Sequence, residues 1–257
     1  MRKKLSYDFV AIVGVFALWY LLSLIAQKNF FPGPVASLQA FIHLMGTGEL
    51  VKHLIASTYR IFLGTLFGVL FALPLGVLLG CSRRIDAYIG NIFNILYPIP
   101  KVVFLPIIVV CMGIGDEPKI FLIAMVIFFQ LTLTIRDAVR HIPAYLCRSM
   151  KTLHPNKMQY FIHLIIPACL PEALSAIRGT LGVSTALLFI TENFASITGL
   201  GYFITKCMDA RNFENMYAGI LTLGLLGVAL YVLILFLEKN ICRWKYVEAG
   251  TAGNKRV

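Results

Sequence analysis

The side chains that catalysis or metal binding would draw on are few in this chain and do not cluster. His43, His53, His141, His154 and His163 are scattered along loops and edges and make no ligand constellation. Cys81, Cys111, Cys147, Cys169, Cys207 and Cys242 include no C-x-x-C pair and lie in or beside apolar runs, the pattern of small buried hydrophobes rather than a metal site. H-E-x-x-H, G-x-S-x-G and the phosphate-cradling G-x-x-x-x-G-K-[ST] do not occur. Carboxylates deep in apolar stretches are nearly missing: Asp86 and Glu172 open such runs, and Glu192 is the one interior candidate. Ion-coupled carriers draw on intramembrane carboxylates, which weighs against that class. Lys101 follows Pro98-Ile99-Pro100 inside an apolar run. A lysine there is either a charge lining a pathway or a side chain that snorkels to an interface, and the two readings stand level. No catalytic group, metal or cofactor is expected in this chain.

What the sequence does offer is an interval made for contact. Arg148 to Pro167 reads RSMKTLHPNKMQYFIHLIIP, the longest polar and basic stretch between strongly apolar runs. Pro155 suits the first turn of a helix, where a missing N–H costs nothing. From there Met158, Phe161, Ile162, Ile165 and Ile166 share one face at helical spacing, while Asn156, Lys157, Tyr160 and His163 fall elsewhere. The spacing predicts a short amphipathic helix over 155–163. Such a helix either lies on lipid headgroups or is a knob held out for a soluble partner; the absence of any engine in the chain favours the knob.

The surrounding elements are membrane spans. The 257 residues are 59% hydrophobic and 14% charged, with a mean hydropathy of +0.81. A soluble domain of this length carries roughly a quarter charged residues. The expected architecture is all-α, with six transmembrane helices over about 9–26, 55–79, 85–112, 120–135, 171–190 and 217–237, in a single domain 1–257. A cytoplasmic loop over about 137–166 holds the knob. The first run, after Met1-Arg2-Lys3-Lys4, is read as an uncleaved span, since no small-residue cleavage site precedes Gln27. Gly64, Gly68, Gly76 and Gly80 are spaced for close helix packing. Prolines at 98, 100 and 106 break the third span, which lipid tolerates only where the break is buried in protein or lines a cavity.

The net charge of +11 does not point to nucleic acid, because no soluble domain is left to bind it. The cations sit at span ends. With the N-terminus cytoplasmic, Arg83, Arg84, Arg136, Arg140, Arg148, Lys151, Lys157, Lys239, Arg243, Lys245, Lys255 and Arg256 join Arg2, Lys3 and Lys4 inside. Lys28, Lys52, Lys119, Lys206 and Arg211 lie outside. The bias, about three to one, places both termini and the knob in the cytoplasm.

Several runs, in order, resemble one family. FPGPVASLQAF, LPLGVLLGCSRRID, YPIPKVVFLPIIVVCMGIGDEPKIFLIA and ITGLGYFI are similar to stretches of binding-protein-dependent ABC transporter permeases, in the branch that includes nitrate, taurine and aliphatic sulfonate permeases. The resemblance covers about residues 31 to 240. That family's signature is a cytoplasmic Glu-Ala-Ala, then a glycine, then a distal Leu-Pro. Counted back from Pro167, the Glu-Ala-Ala falls on Arg148, Ser149 and Met150, and the glycine on His154. Thr152, Leu153 and Pro167 fit; the other positions depart from the pattern, which puts the strength of docking in question.

The resemblance implies the type I importer permease fold and a bacterial inner-membrane location. It implies two permease subunits, the same or different chains, forming the pathway. Separate ABC ATPase subunits bind ATP and Mg, and an extracytoplasmic solute-binding protein delivers a small solute. Arg148, Lys151, His154, Pro155, Lys157, Met158, Phe161 and Pro167 are the expected ATPase-coupling residues, and Lys101 and Glu192 the expected pathway residues. The rival function is a secondary ion-coupled carrier; a membrane enzyme ranks third.

Overall fold

A computed structural model of the chain describes residues 2–26, 30–194 and 196–244, and among them every regular element is helical. Contacts divide the chain into two compact units, Met1–Thr58 with Glu192–Leu226, and Tyr59–Thr191 with Gly227–Val257. The basic tail from 245 onward and Lys28 lie outside the described residues.

The second unit is organised on two long helices, α3 (Glu49–Cys81, from residue 59 onward) and α7 (Glu117–Arg140). Gly64, Gly68, Gly76 and Gly80 stand on one stripe of α3, with Ala72 fully buried between them. A Cβ added at these glycines would meet Ile123, Ile127, Ile135 and Val139 in turn. It would also lie 3.1, 3.0, 2.9 and 3.0 Å from the carbonyl oxygens of Ile120, Ala124, Thr132 and Arg136. The small residues let the two backbones approach so closely that no side chain fits between them, which is the packing their spacing predicts.

Between these helices the chain runs through a short α4 (Arg83–Ile85), a π turn at Asp86–Gly90, α5 (Asn91–Leu96), a 3₁₀ turn at Lys101–Phe104 and α6 (Leu105–Met112). Arg83–Leu96 and Lys101–Met112 meet at 85°. The bend sits at Pro98 and Pro100, where two missing N–H groups and the restriction on residues before proline end the helix. After α7 come α8 (Ala144–Thr152) and α9 (Lys157–Tyr160), a second π turn at Phe161–Ile165, and α10 (Ile166–Phe194). Arg178 of α10 pairs with Glu238 of α12 (Phe213–Ile241) at 2.9 Å, a charge on each helix satisfied by the other.

The first unit holds α1 (Arg2–Ala26), α2 (Pro34–Gly46), α11 (Leu200–Asp209) and the opening of α12. Trp19 of α1 stacks on Tyr217 of α12 at 5.8 Å, and Phe31 meets the same ring edge-on at 5.9 Å. Gly219 of α12 lies against Phe203 and Ile204 of α11.

Among the described residues, four helices are long and apolar enough to cross a membrane: α3, α7, the continuous run Lys157–Phe194 and α12. The broken pair makes a fifth if it is one span. α1, 25 residues from Arg2 to Ala26, contributes the apolar stretch Val13–Ile25 among the described residues. Helix ends depart from the expected bounds in one direction. The span expected over 55–79 is Glu49–Cys81, and the one expected over 120–135 is Glu117–Arg140. Hydropathy marks where lipid contact stops, but backbone hydrogen bonding carries the helix on into the polar layer. The span expected over 171–190 departs most, because its helix begins at Lys157 and runs through Pro171.

Candidate functional site

The contact segment is built from two helices rather than one. Pro143, extended, precedes α8, and the N–H of Leu146 reaches the Pro143 carbonyl at 3.0 Å. The helix ends at Thr152. Leu153 caps it, and the N–H groups of Leu153 and His154 return to the carbonyls of Met150 and Lys151. His154 has φ +46°, the left-handed region, at the position just past the cap where helices most often place glycine. The Glu-Ala-Ala positions Arg148, Ser149 and Met150 thus lie in α8, and the glycine position falls where the backbone needs positive φ.

The predicted short helix over 155–163 is corrected here. Pro155 lies before the helix, not in its first turn. Asn156 caps α9: its side-chain oxygen accepts the Gln159 N–H at 2.8 Å, and Gln159 Oε1 accepts the Asn156 N–H at 2.9 Å. The helix does not stop at His163 but continues through the π turn into α10. A π turn carries an extra residue and shifts the phase of everything after it. The single apolar face expected there is therefore split. Leu164 and Ile165 are buried and Phe161 half-buried, while Met158 and Ile162 are exposed.

The expected coupling residues divide accordingly. Arg148 and Lys151 are exposed on α8, His154 on the turn that follows it and Lys157 at the start of α9, and Pro155, Phe161 and Pro167 are half-buried. Leu153 is 75% and Met158 64% exposed, large apolar side chains turned mostly to solvent, and Tyr145 and Leu146 of α8 add to them. Sequence reasoning missed α8. Its signals were Pro143 ahead of a helical run and the Asn156/Gln159 box that starts the next helix.

Charges tie the span ends to one another. Asp86, in the first π turn, receives Arg140 at 2.7 Å and Arg136 at 3.6 Å, and Arg140 also donates to the Leu79 carbonyl at 3.2 Å. Arg60, 2% exposed within α3, pairs with Asp116 at 2.7 Å.

Lys101 closes the broken span. Its Nζ donates to the carbonyls of Leu96 at 2.6 Å, Ile99 at 2.9 Å and Tyr97 at 3.3 Å, and lies 4.5 Å from the centre of the Phe129 ring. The Leu96 carbonyl also accepts the Ile99 N–H at 3.2 Å, and a cation where α5 ends answers the remaining lone pairs and the helix dipole. Glu192, fully buried, belongs to the first unit. It accepts from Ser57 Oγ at 2.8 and 3.0 Å and from the Gly201 N–H at 2.8 Å. Ser57 Oγ in turn accepts the Leu200 N–H at 2.8 Å, and His53 Nδ1 accepts the Gly199 N–H at 3.0 Å. Gly199 has φ +114°, open to glycine alone. The carboxylate therefore sits at the N-terminus of α11, where amide donors and the dipole both favour it. In the same unit burial pushes the Cys207 thiol up, with Glu49 adding to the rise and Lys206 opposing it, so the thiol stays protonated. Among the described residues no group of three or more His, Cys, Asp or Glu side chains is arranged to hold a metal.

Comparison with known proteins decides what this arrangement belongs to. The profile of the family described as binding-protein-dependent transport system inner membrane component matches residues 64–244. The chain belongs to that family. This permease is 31% identical over 229 residues to SsuC of Bacillus subtilis, an aliphatic sulfonates transport permease, covering 88% of this chain and 82% of the relative. It is 28% identical to the taurine transport system permease TauC of Escherichia coli, over 95% and 91% of the two chains. Its fold is shared with a solved MetNI methionine ABC transporter, at a TM-score of 0.63 and 23% identity, over 76% of this permease and 94% of that chain. The permease is thus an all-helical, multi-pass subunit of an ABC importer with the type I fold. Its relatives are transport permeases and not enzymes, which supports the importer reading over an ion-coupled carrier.

Proposed function

We propose that the permease, paired with a second permease chain, forms the pathway of an importer for a small organic anion of the sulfonate kind, delivered by an extracytoplasmic solute-binding protein. ATP and Mg are bound by separate ATPase subunits. The substrate class comes from the relatives' names alone, since Lys101 is engaged by its own backbone. The ATPase grips the segment from α8 to Met158. The observation that carries the docking reading is the exposed set of Tyr145, Leu146, Leu153 and Met158, ringed by Arg148, Lys151, His154 and Lys157. Apolar anchors with a cationic rim are what a partner's groove takes up. Rigid helices then pass the partner's motion on. Phe161, Pro155 and Pro167 support the segment from behind. Lys101 and Glu192 serve the pathway as fasteners of its two irregular stretches.

The segment and both termini face the cytoplasm of a bacterial cell, across the inner membrane, and α1 completes six spans. The docking reading is tested by Leu153→Asp and Met158→Asp, at side chains that are largely exposed in this chain. Each lowers affinity for the ATPase subunit on the order of thirtyfold, as loss of an anchor does, and abolishes transport-coupled ATPase activity while the chain's own melting is unchanged. Full assembly and transport in both variants would remove the segment from the coupling path.

A further inference from the structure

The α8 segment also borders a cleft of about 960 Å³, lined in part by the Arg148 and Lys151 side chains that the docking reading uses as well. That is the size of a small-molecule site. Four cations from three elements line it: Arg83 of α4, Arg140 of α7, and Arg148 and Lys151 of α8. The one carboxylate among the lining residues is Asp86, already engaged by Arg140 and Arg136. Among the described residues no carboxylate lies within ion-pair reach of Arg83, Arg148 or Lys151. Cations at span ends are ordinary and usually face water singly. Here they converge on one concavity whose single carboxylate is already taken up by Arg140 and Arg136, an arrangement that favours a bound anion.

We propose that this cleft binds a phosphate group, with the headgroup of an anionic phospholipid as one source and free phosphate as the other. The cleft opens where α3 and α7 end, at Gly80, Cys81 and Val139, the depth at which apolar runs give way to arginine and lipid phosphates lie. Val139, Ile142 and Ile165 give it an apolar wall beside the cations. Arginine meets phosphate through paired N–H groups, and basic pockets between helices at this depth suit anionic headgroups. A bound phosphate would link α4 and α7 to α8, the element proposed to couple the ATPase.

Binding is measured on the full chain alone in detergent by native mass spectrometry, so that its outcome is separate from that of ATPase docking. The probes are phosphatidylglycerol, phosphatidylcholine and inorganic phosphate. One phosphatidylglycerol binds about tenfold or more tightly than phosphatidylcholine. The triple variant Arg83→Gln, Arg148→Gln, Lys151→Gln loses that affinity on the order of a hundredfold, three cations acting together. Arg84→Gln, outside the cleft, leaves it unchanged. All three replaced side chains are exposed, so packing survives; Ala144→Trp, which fills the cleft without removing a charge, weakens binding by a second route. Displacement of the lipid by millimolar inorganic phosphate identifies free phosphate as the recognised group, whereas resistance to displacement assigns the site to the lipid. Equal binding of the two lipids, or full phosphatidylglycerol affinity in both the triple variant and Ala144→Trp, overturns the proposal.

Discussion

At the scale of single residues, His154 carries a cost that its function does not explain. A β-carbon in the left-handed region is disfavoured by about 1–2 kcal/mol, and nothing in its one side-chain contact, Nδ1 to the Thr152 carbonyl at 3.1 Å, offsets it in full. His154→Gly is expected to raise stability by about 1 kcal/mol, the strain relieved less the extra unfolded-chain entropy of glycine. A thermal melt of the purified chain followed by helical circular dichroism reads it, and a lower melting temperature would contradict the strain argument. Lys101 offers a sharper test. If it fastens the break, Lys101→Met leaves carbonyls unpaired at about 1–3 kcal/mol, and transport falls together with stability. Loss of transport in a protein that melts as before would instead make Lys101 a solute contact. Glu192→Ala belongs to the same class. It strips acceptors from Ser57 and Gly201, and destabilises by about 2 kcal/mol or more through buried donors left without a partner.

At the scale of elements, the two packing devices differ in what they tolerate. The α3 glycine stripe faces backbone carbonyls, which cannot swing away as a side chain can. Gly76→Ala therefore costs about 1–3 kcal/mol by overpacking, although alanine is the better helix former. An unchanged melt would mean that α3 and α7 separate more easily than their spacing implies. The start of α9 is fixed by its capping box. Asn156→Ala costs about 1 kcal/mol there, measurable as faster amide exchange at Lys157–Tyr160. The stripe was legible in the sequence, because glycines four apart have one dominant use in apolar helices. The phase shift at Phe161–Ile165 was not legible. A π turn has no residue signature, and it moves exposed and buried positions that helical periodicity assigns together.

At the scale of the whole molecule, the open quantity is the number of crossings. Six spans place both termini on one side, and five place them on opposite sides. Reporters fused at each end settle this: a fluorescent protein that folds only in the cytoplasm is expected to light at both, and a phosphatase active only outside to be silent at both. Opposite signals would leave α1 short of crossing.

Composition by itself determined that this chain lives in lipid, since 59% hydrophobic residues leave too little polar surface for any soluble fold. The order of its motifs determined the family, and the prolines at 98 and 100 determined where a span breaks. These properties are written locally, in runs of apolarity or in residues that forbid a helix. The tertiary structure decided the rest. It tied Lys101 to the carbonyls of its own break, brought Ser57 and Glu192 to the start of α11 across 135 positions, and made α8 rather than 155–163 the free-standing helix. Hydrogen-bond partners of a buried charge are chosen by whichever donors the folded chain delivers, and spacing along a sequence does not name them.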